Sequence, residues 1–153
     1  MNANNEFQNA QQTKLYEKLN PLFAYIPYLR DKEGAQTRTT LSGDAAPKNS
    51  VPIPVYDSTV LSFVKEAQRT GLMDRNYIYA YSKMKATTPS DERLAISDAK
   101  YADIDGVLAI MTKYVLMGMT KGTMWSIAVE EGIWLHCLLK IKELLDVYDH
   151  PLA

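Results

Sequence analysis

Few residues in this chain are of types that do chemistry, and their spacing decides what that chemistry would be. Histidine occurs twice, at His136 and His150, and cysteine once, at Cys137. His136 and Cys137 are neighbours, so on a helix they project about 100° apart and cannot both ligate one metal from that turn. A Cys–His nucleophile pair would need distant partners that nothing in the sequence suggests. His136 reads as a solvated residue and Cys137 as a small core hydrophobe. The adjacent carboxylates Asp91 and Glu92, and likewise Glu130 and Glu131, face different directions on a helix, which spoils either pair as an acid/base couple. Solvated faces and helix-dipole partners account for them better. The expectation is no catalytic residue, no metal ligand and no cofactor.

Two constellations keep some chemical interest. The first is the stretch Met117 to Trp125, which joins Gly118, Lys121, Gly122 and Thr123 to Met117, Met119, Met124 and Trp125. Glycine-rich backbone at a helix start with a lysine beside it can hold an anion. The order does not fit a phosphate-binding loop, which needs Gly-Lys-Ser/Thr after four spacer residues and a preceding strand. Thioethers near an indole can also make an adaptable contact surface. The competing reading for the whole stretch is a turn and packed core. The second constellation interleaves Arg75, Lys83 and Lys85 with Tyr77, Tyr79 and Tyr81. Bases and aromatics in alternation can track a single nucleic-acid strand, though three positive charges make a thin case. Tyrosine, present ten times, is equally suited to a protein contact or to the core.

The elements that must position these residues read as helices. A lead-in over residues 1–12, rich in Asn and Gln, offers little apolar surface and reads as disordered. A helix is expected over Thr13–Leu19, with Asn20-Pro21 capping a second piece from Leu22 to Tyr28 and Pro27 near the end of that piece, or the two joined as one kinked helix. From Asp31 to Tyr56 no helical period is visible. Pro52 and Pro54 alternate with Val51, Ile53 and Val55, which forces an extended path, and Thr37 to Leu41 could pair with it as a minor hairpin. Asp57-Ser58 caps a helix whose stripe is Val60, Phe63, Val64 and Ala67, stopped at Gly71. Over Arg75 to Tyr81 the period-two tyrosines argue strand while Tyr77 and Tyr81 at i, i+4 allow a helix; the reading leans to helix, and a short helix follows from Asp91 to Ile96. Asp103 caps a stripe of Ile104, Val107, Leu108, Met111 and Val115 that ends at Gly118. Helices from Lys121 to Glu131 and from Ile133 to Tyr148 complete the set, the last with a stripe of Trp134, Leu138, Ile141, Leu145 and Tyr148. The fold class is therefore all-α: residues 13–149 as a single-domain bundle of about six helices, interrupted by one long irregular Pro-containing segment.

Composition bounds the function. With 17 basic and 18 acidic residues the net charge is −1, so no global field draws the chain to nucleic acid or to an anionic membrane. No uncharged apolar run reaches membrane-spanning length, and the N-terminus lacks the basic and apolar regions of a signal peptide. A single cysteine suits a reducing compartment, and the expected location is the cytoplasm.

Three segments also carry a resemblance. Tyr25-Ile26-Pro27-Tyr28-Leu29, then Pro54-Val55-Tyr56-Asp57-Ser58 leading into Val60 to Gly71, then Leu108 to Leu145 with Thr112 and Gly132, are similar to a family of small helical domains of unknown function found in bacteria and associated with phages. The similarity spans roughly residues 22–146 and implies an all-helical domain without implying an activity. Relatives carry arginines and an aromatic after the threonine matching Thr112. Leu116 to Thr120 here holds no arginine, so whatever those arginines do is in doubt for this chain. The functional expectation is a non-enzymatic module that binds another macromolecule, either another protein or a second copy of itself, with regulation of a phage or mobile element as one setting. The rivals are a small-ligand or anion-binding domain using the 118–125 turn, and a weak nucleic-acid binder using residues 75–85.

Overall fold

The structure is a computed structural model and describes residues 3–34, 38–40, 54–56 and 58–149. Among these the chain forms eight α-helices, more than the six expected, plus one 3-10 turn and one two-stranded pair. The helices are α1 (Ala3–Phe23), α2 (Ile26–Lys32), α3 (Ser58–Arg69), α4 (Ile78–Lys83), α5 (Pro89–Asp98), α6 (Ile104–Met117), α7 (Thr123–Glu130) and α8 (Ile133–Asp149). Strand β1 (Arg38–Thr40) pairs antiparallel with β2 (Pro54–Tyr56), setting Arg38 opposite Tyr56 and Thr40 opposite Pro54. Val51, Ile53, Asp57 and His150 lie outside the described residues.

Three helices follow directly from their stripes. In α3 the buried residues are Val60, Phe63, Val64 and Ala67. In α6 the stripe from Ile104 to Val115 is buried, widened by Ala109 and Ile110. In α8, Trp134, Leu138, Ile141 and Leu145 are fully covered. Helix α8 lies at the centre and touches α1, α2, α5, α6 and α7. Trp134 stacks obliquely on Phe63 at 4.6 Å between ring centres, and Tyr25 meets Phe63 edge-on at 5.3 Å. The Trp134 indole N–H donates to the Met111 carbonyl at 3.3 Å, so the largest core side chain also satisfies its one polar atom.

The first helical block differs from expectation at both prolines. The helical path begins at Ala3 rather than at Thr13 and runs through Pro21 to Phe23. Asn20-Pro21 is therefore not a cap. Gln and Asn cost a helix only a few tenths of a kcal/mol against Ala, roughly, and that is easily overridden by packing. Gln12, Leu19 and Phe23 are all buried on the inward side of α1, with Leu15 and Tyr16 packed against the core. Pro21 removes one backbone donor but sits within three residues of the helix end, where little is left to break. Pro27 occupies the first turn of α2, not its end; its missing N–H would have had no helical acceptor there.

Helix α5 starts at Thr88, whose hydroxyl accepts the Asp91 amide at 3.1 Å, with Pro89 in the first turn. Asp103 precedes α6 but does not cap it. Its carboxylate turns back to accept the Lys100 amide at 2.9 Å. Gly71 (φ 75°) and Gly132 (φ 72°) take up the left-handed backbone that closes α3 and separates α7 from α8. No helix among the described residues is long and apolar enough to cross a membrane.

Candidate functional site

Two features stand apart from plain packing, and they meet along α4 and α6. One is a buried polar cluster. The other is an open cleft.

The cluster centres on Glu92, which is fully buried. The sequence placed this residue on a solvated face, and the structure overturns that reading. Three side chains from two helices converge on its carboxylate: the Tyr81 hydroxyl of α4 donates to Oε2 at 2.6 Å, the Lys113 ammonium of α6 to Oε2 at 2.8 Å, and the Tyr114 hydroxyl, also of α6, to Oε1 at 2.5 Å. Lys113 Nζ donates as well to the Tyr81 oxygen at 2.9 Å and lies 4.8 Å and 5.0 Å from the ring centres of Tyr81 and Tyr114. A buried carboxylate is tolerated only when paired and hydrogen-bonded, and here both conditions hold. Removing one of the two charges would leave the other unpaired in the interior, at a cost of about 3–5 kcal/mol.

The cluster shifts its members in a consistent direction. Burial, joined by the bond to Glu92 and opposed by Lys113, pushes the Tyr81 hydroxyl above its ordinary range. Burial and the same carboxylate raise Tyr114 much further. Burial alone would lower Lys113, but its bonds to Glu92 and Tyr81 outweigh that and raise it. Cys137, fully buried with its thiol 3.5 Å from the Val107 carbonyl, is pushed up by burial and then by the charge of Glu92. A thiol held neutral is a poor nucleophile, which agrees with its reading as a core hydrophobe. Asp91, next in sequence to Glu92, is exposed and accepts the Thr87 hydroxyl at 3.2 Å, so the two carboxyls do not act as a couple.

The cleft lies on the other side of α4. It encloses about 670 Å³, with α4 as one wall and α6 as the other. Tyr77, Tyr79 and Lys83 line the α4 side; Asp103, Asp105 and Thr112 belong to the opposite wall, and Asp74 to the turn leading into α4. Thr112 is buried and its hydroxyl donates to the Leu108 carbonyl at 2.7 Å. Gly106 allows the two walls to approach, because a Cβ there would overlap the Met84 sulfur. Tyr79 lines the cleft and is 76% exposed, and its neighbour in sequence Ile78, outside the lining, is 62% exposed. The volume is that of a ligand or side-chain site, and the wall charge, three aspartates against one lysine, favours a positively charged occupant.

The aromatic and basic stretch is thus divided by the fold. Tyr77, Tyr79 and Lys83 face the cleft, Tyr81 turns away to Glu92, and Arg75 and Lys85 are exposed outside the cleft lining.

No protein-family model matches the chain. No curated protein and no solved structure matches it either.

The stretch Met117 to Trp125 is accounted for differently. Met117 is half-buried at the end of α6, Met119 is 57% exposed with its sulfur 3.8 Å from the Gln68 amide, and Lys121 and Thr123 are exposed. Gly118 lets the Trp125 ring lie against the end of α6, since a Cβ would overlap its indole nitrogen; that nitrogen donates to the Val115 carbonyl at 3.1 Å. The amides of Gly118, Met119, Thr120 and Lys121 donate to carbonyls of α6, and that of Met124 donates to Lys121. Gly122 occupies the N-cap position of α7, without a side-chain cap. The amides of residues 118–121 are thus spent on the chain's own backbone and do not serve an anion.

His136 pairs with Glu33 at 3.0 Å on the surface, and Arg93 holds Glu131 at 2.6 Å. Among the described residues no group of three or more His, Cys, Asp or Glu is placed to hold a metal ion.

Proposed function

We propose that this chain is a non-enzymatic module that binds another macromolecule, and that the cleft between α4 and α6 receives a positively charged segment of a partner protein. The cleft carries this reading: three aspartates and two tyrosines line about 670 Å³ of open space, and one of those tyrosines, Tyr79, is 76% exposed. Carboxylates recognise an arginine or lysine side chain, tyrosine faces add cation–π attraction, and the exposed Tyr79 ring supplies area for the flanking residues. The same wall charge speaks against the nucleic-acid reading of residues 75–85, because phosphates would meet Asp74, Asp103 and Asp105. The internally bonded amides of the 118–121 turn speak against the anion reading. A second copy of the chain is one form the partner can take. A cytoplasmic setting is part of the proposal, supported by the buried free thiol of Cys137. A phage or mobile-element setting belongs to it through the family resemblance alone.

An affinity pull-down from the cells that encode the protein tests the reading. Wild type should retain a protein that a Tyr79→Ala variant loses, since that side chain is exposed, lines the cleft and is dispensable to the core. Retention of the same proteins by the variant would contradict it. A thermal shift with small amines and no retained protein would move the cleft to a small-ligand role.

A further inference from the structure

We propose that α4 is a movable wall of the cleft, held shut by the Tyr81 hydroxyl acting as a latch on Glu92 and Lys113. The inference makes no use of the occupant and stands or falls apart from it.

Helix α4 is six residues long and contributes no buried residue. A helix this short does not hold itself together, so its position must come from tertiary anchors. Two are visible. Met84 packs over Gly106 of α6, as an adaptable thioether rather than an interlocked branched side chain. Tyr81 is the other, with its oxygen 2.6 Å from Glu92 Oε2 and 2.9 Å from Lys113 Nζ. Because Glu92 belongs to α5 and Lys113 to α6, one hydroxyl ties α4 to both neighbours behind the cleft. Glu92 and Lys113 keep each other at 2.8 Å without it, and Tyr114 still donates to the other carboxylate oxygen. Losing the Tyr81 bond therefore leaves no charge unpaired, which is what allows the latch to open.

The segment is bounded by backbone suited to a hinge. Before α4, the Asp74 carboxylate accepts the Asn76 amide at 2.8 Å in an exposed local turn. After it, Lys85 has φ 54°, the only left-handed non-glycine backbone among the described residues. A conformation so disfavoured for a side-chain-bearing residue persists only while its surroundings hold it. Release of the latch relieves it. The wall then swings from α6 and the cleft widens, while the core behind it is undisturbed.

Amide hydrogen exchange on the free full-length chain tests this. In wild type, the amides of residues 77–85 should exchange together, faster than those of α6 and α8, as a separate opening unit. Tyr81→Phe keeps the ring and deletes the latch, and should speed exchange in 77–85 by about tenfold to a hundredfold, the factor for a lost bond to a charged partner. Exchange in α8 should stay within about twofold, and Tyr79→Phe, altering an exposed ring, should change neither region. Equal exchange of α4 and α8 in wild type would overturn the proposal. So would a Tyr81→Phe chain in which 77–85 is unchanged, or in which α6 and α8 accelerate by the same factor, since the hydroxyl would then be merely a contributor to global stability.

Discussion

At the residue scale the deciding side chain is Glu92, and it was the least legible. Its neighbours Asp91 and Arg93 are polar, so the local pattern describes a wet turn of helix; the groups that make burial tolerable lie 11, 21 and 22 positions away at Tyr81, Lys113 and Tyr114. A signal was present on the other side of the pair. Lys113 falls in the largely apolar helix α6, and a lysine drawn into such surroundings needs a partner. The cluster should make stability fall on the alkaline side. Lys113 is raised above its ordinary value of 10.5 in the folded state, so its contribution is complete below that value and disappears as pH climbs through the folded one. Tyr81, Tyr114 and Cys137 are raised above 10.0, 10.0 and 9.0, so the unfolded chain loses these protons first and gains on the folded state as pH rises. All four push the same way. The urea midpoint should decline from about pH 9 upward, each group adding at most roughly 1.4 kcal/mol per pH unit within its window. A midpoint that holds level to pH 11 would contradict these environments.

At the element scale the sequence was most informative where packing sets the period. The stripes of α3, α6 and α8 are legible because a helix buried on one side must repeat apolar residues every three or four positions, and the residues named from that period are the buried ones, apart from Tyr148, whose side chain lies outside the described ones. The prolines misled because their effect depends on where in a helix they fall. Pro21 sits near an end and Pro27 at a start, and the sequence alone does not say which. Gly118 does close α6, as its sequence suggested, but with helical backbone (φ −65°, ψ −17°), and its lack of a Cβ also admits the Trp125 ring. Gly118→Ala should therefore destabilise, by about 1–3 kcal/mol for an overpacked contact, where the same change at an open helical site would stabilise by up to about 1 kcal/mol. Circular dichroism melting reads the sign: a lower midpoint is expected, and a higher one would show that Trp125 does not depend on the gap.

At the scale of the whole molecule, a net charge of −1 conceals an uneven surface. Asp74, Asp103 and Asp105 come together only because α4 packs on α6, a pairing that no local pattern encodes. Tyr77, Tyr79 and Lys83 were singled out in sequence as part of a contact surface, and the fold gives them a cleft to line; the acidic wall facing them was not foreseen. The central claim is that this cleft is where a partner protein sits. Site-specific photo-crosslinking in the cells that encode the chain tests it most directly, with a photoreactive phenylalanine analogue replacing Tyr79 at the rim or, separately, Leu94, which is 63% exposed on α5. The account predicts a discrete protein adduct from position 79 and none from position 94. Adducts from position 94 alone, equal labelling from both, or none from either would contradict it.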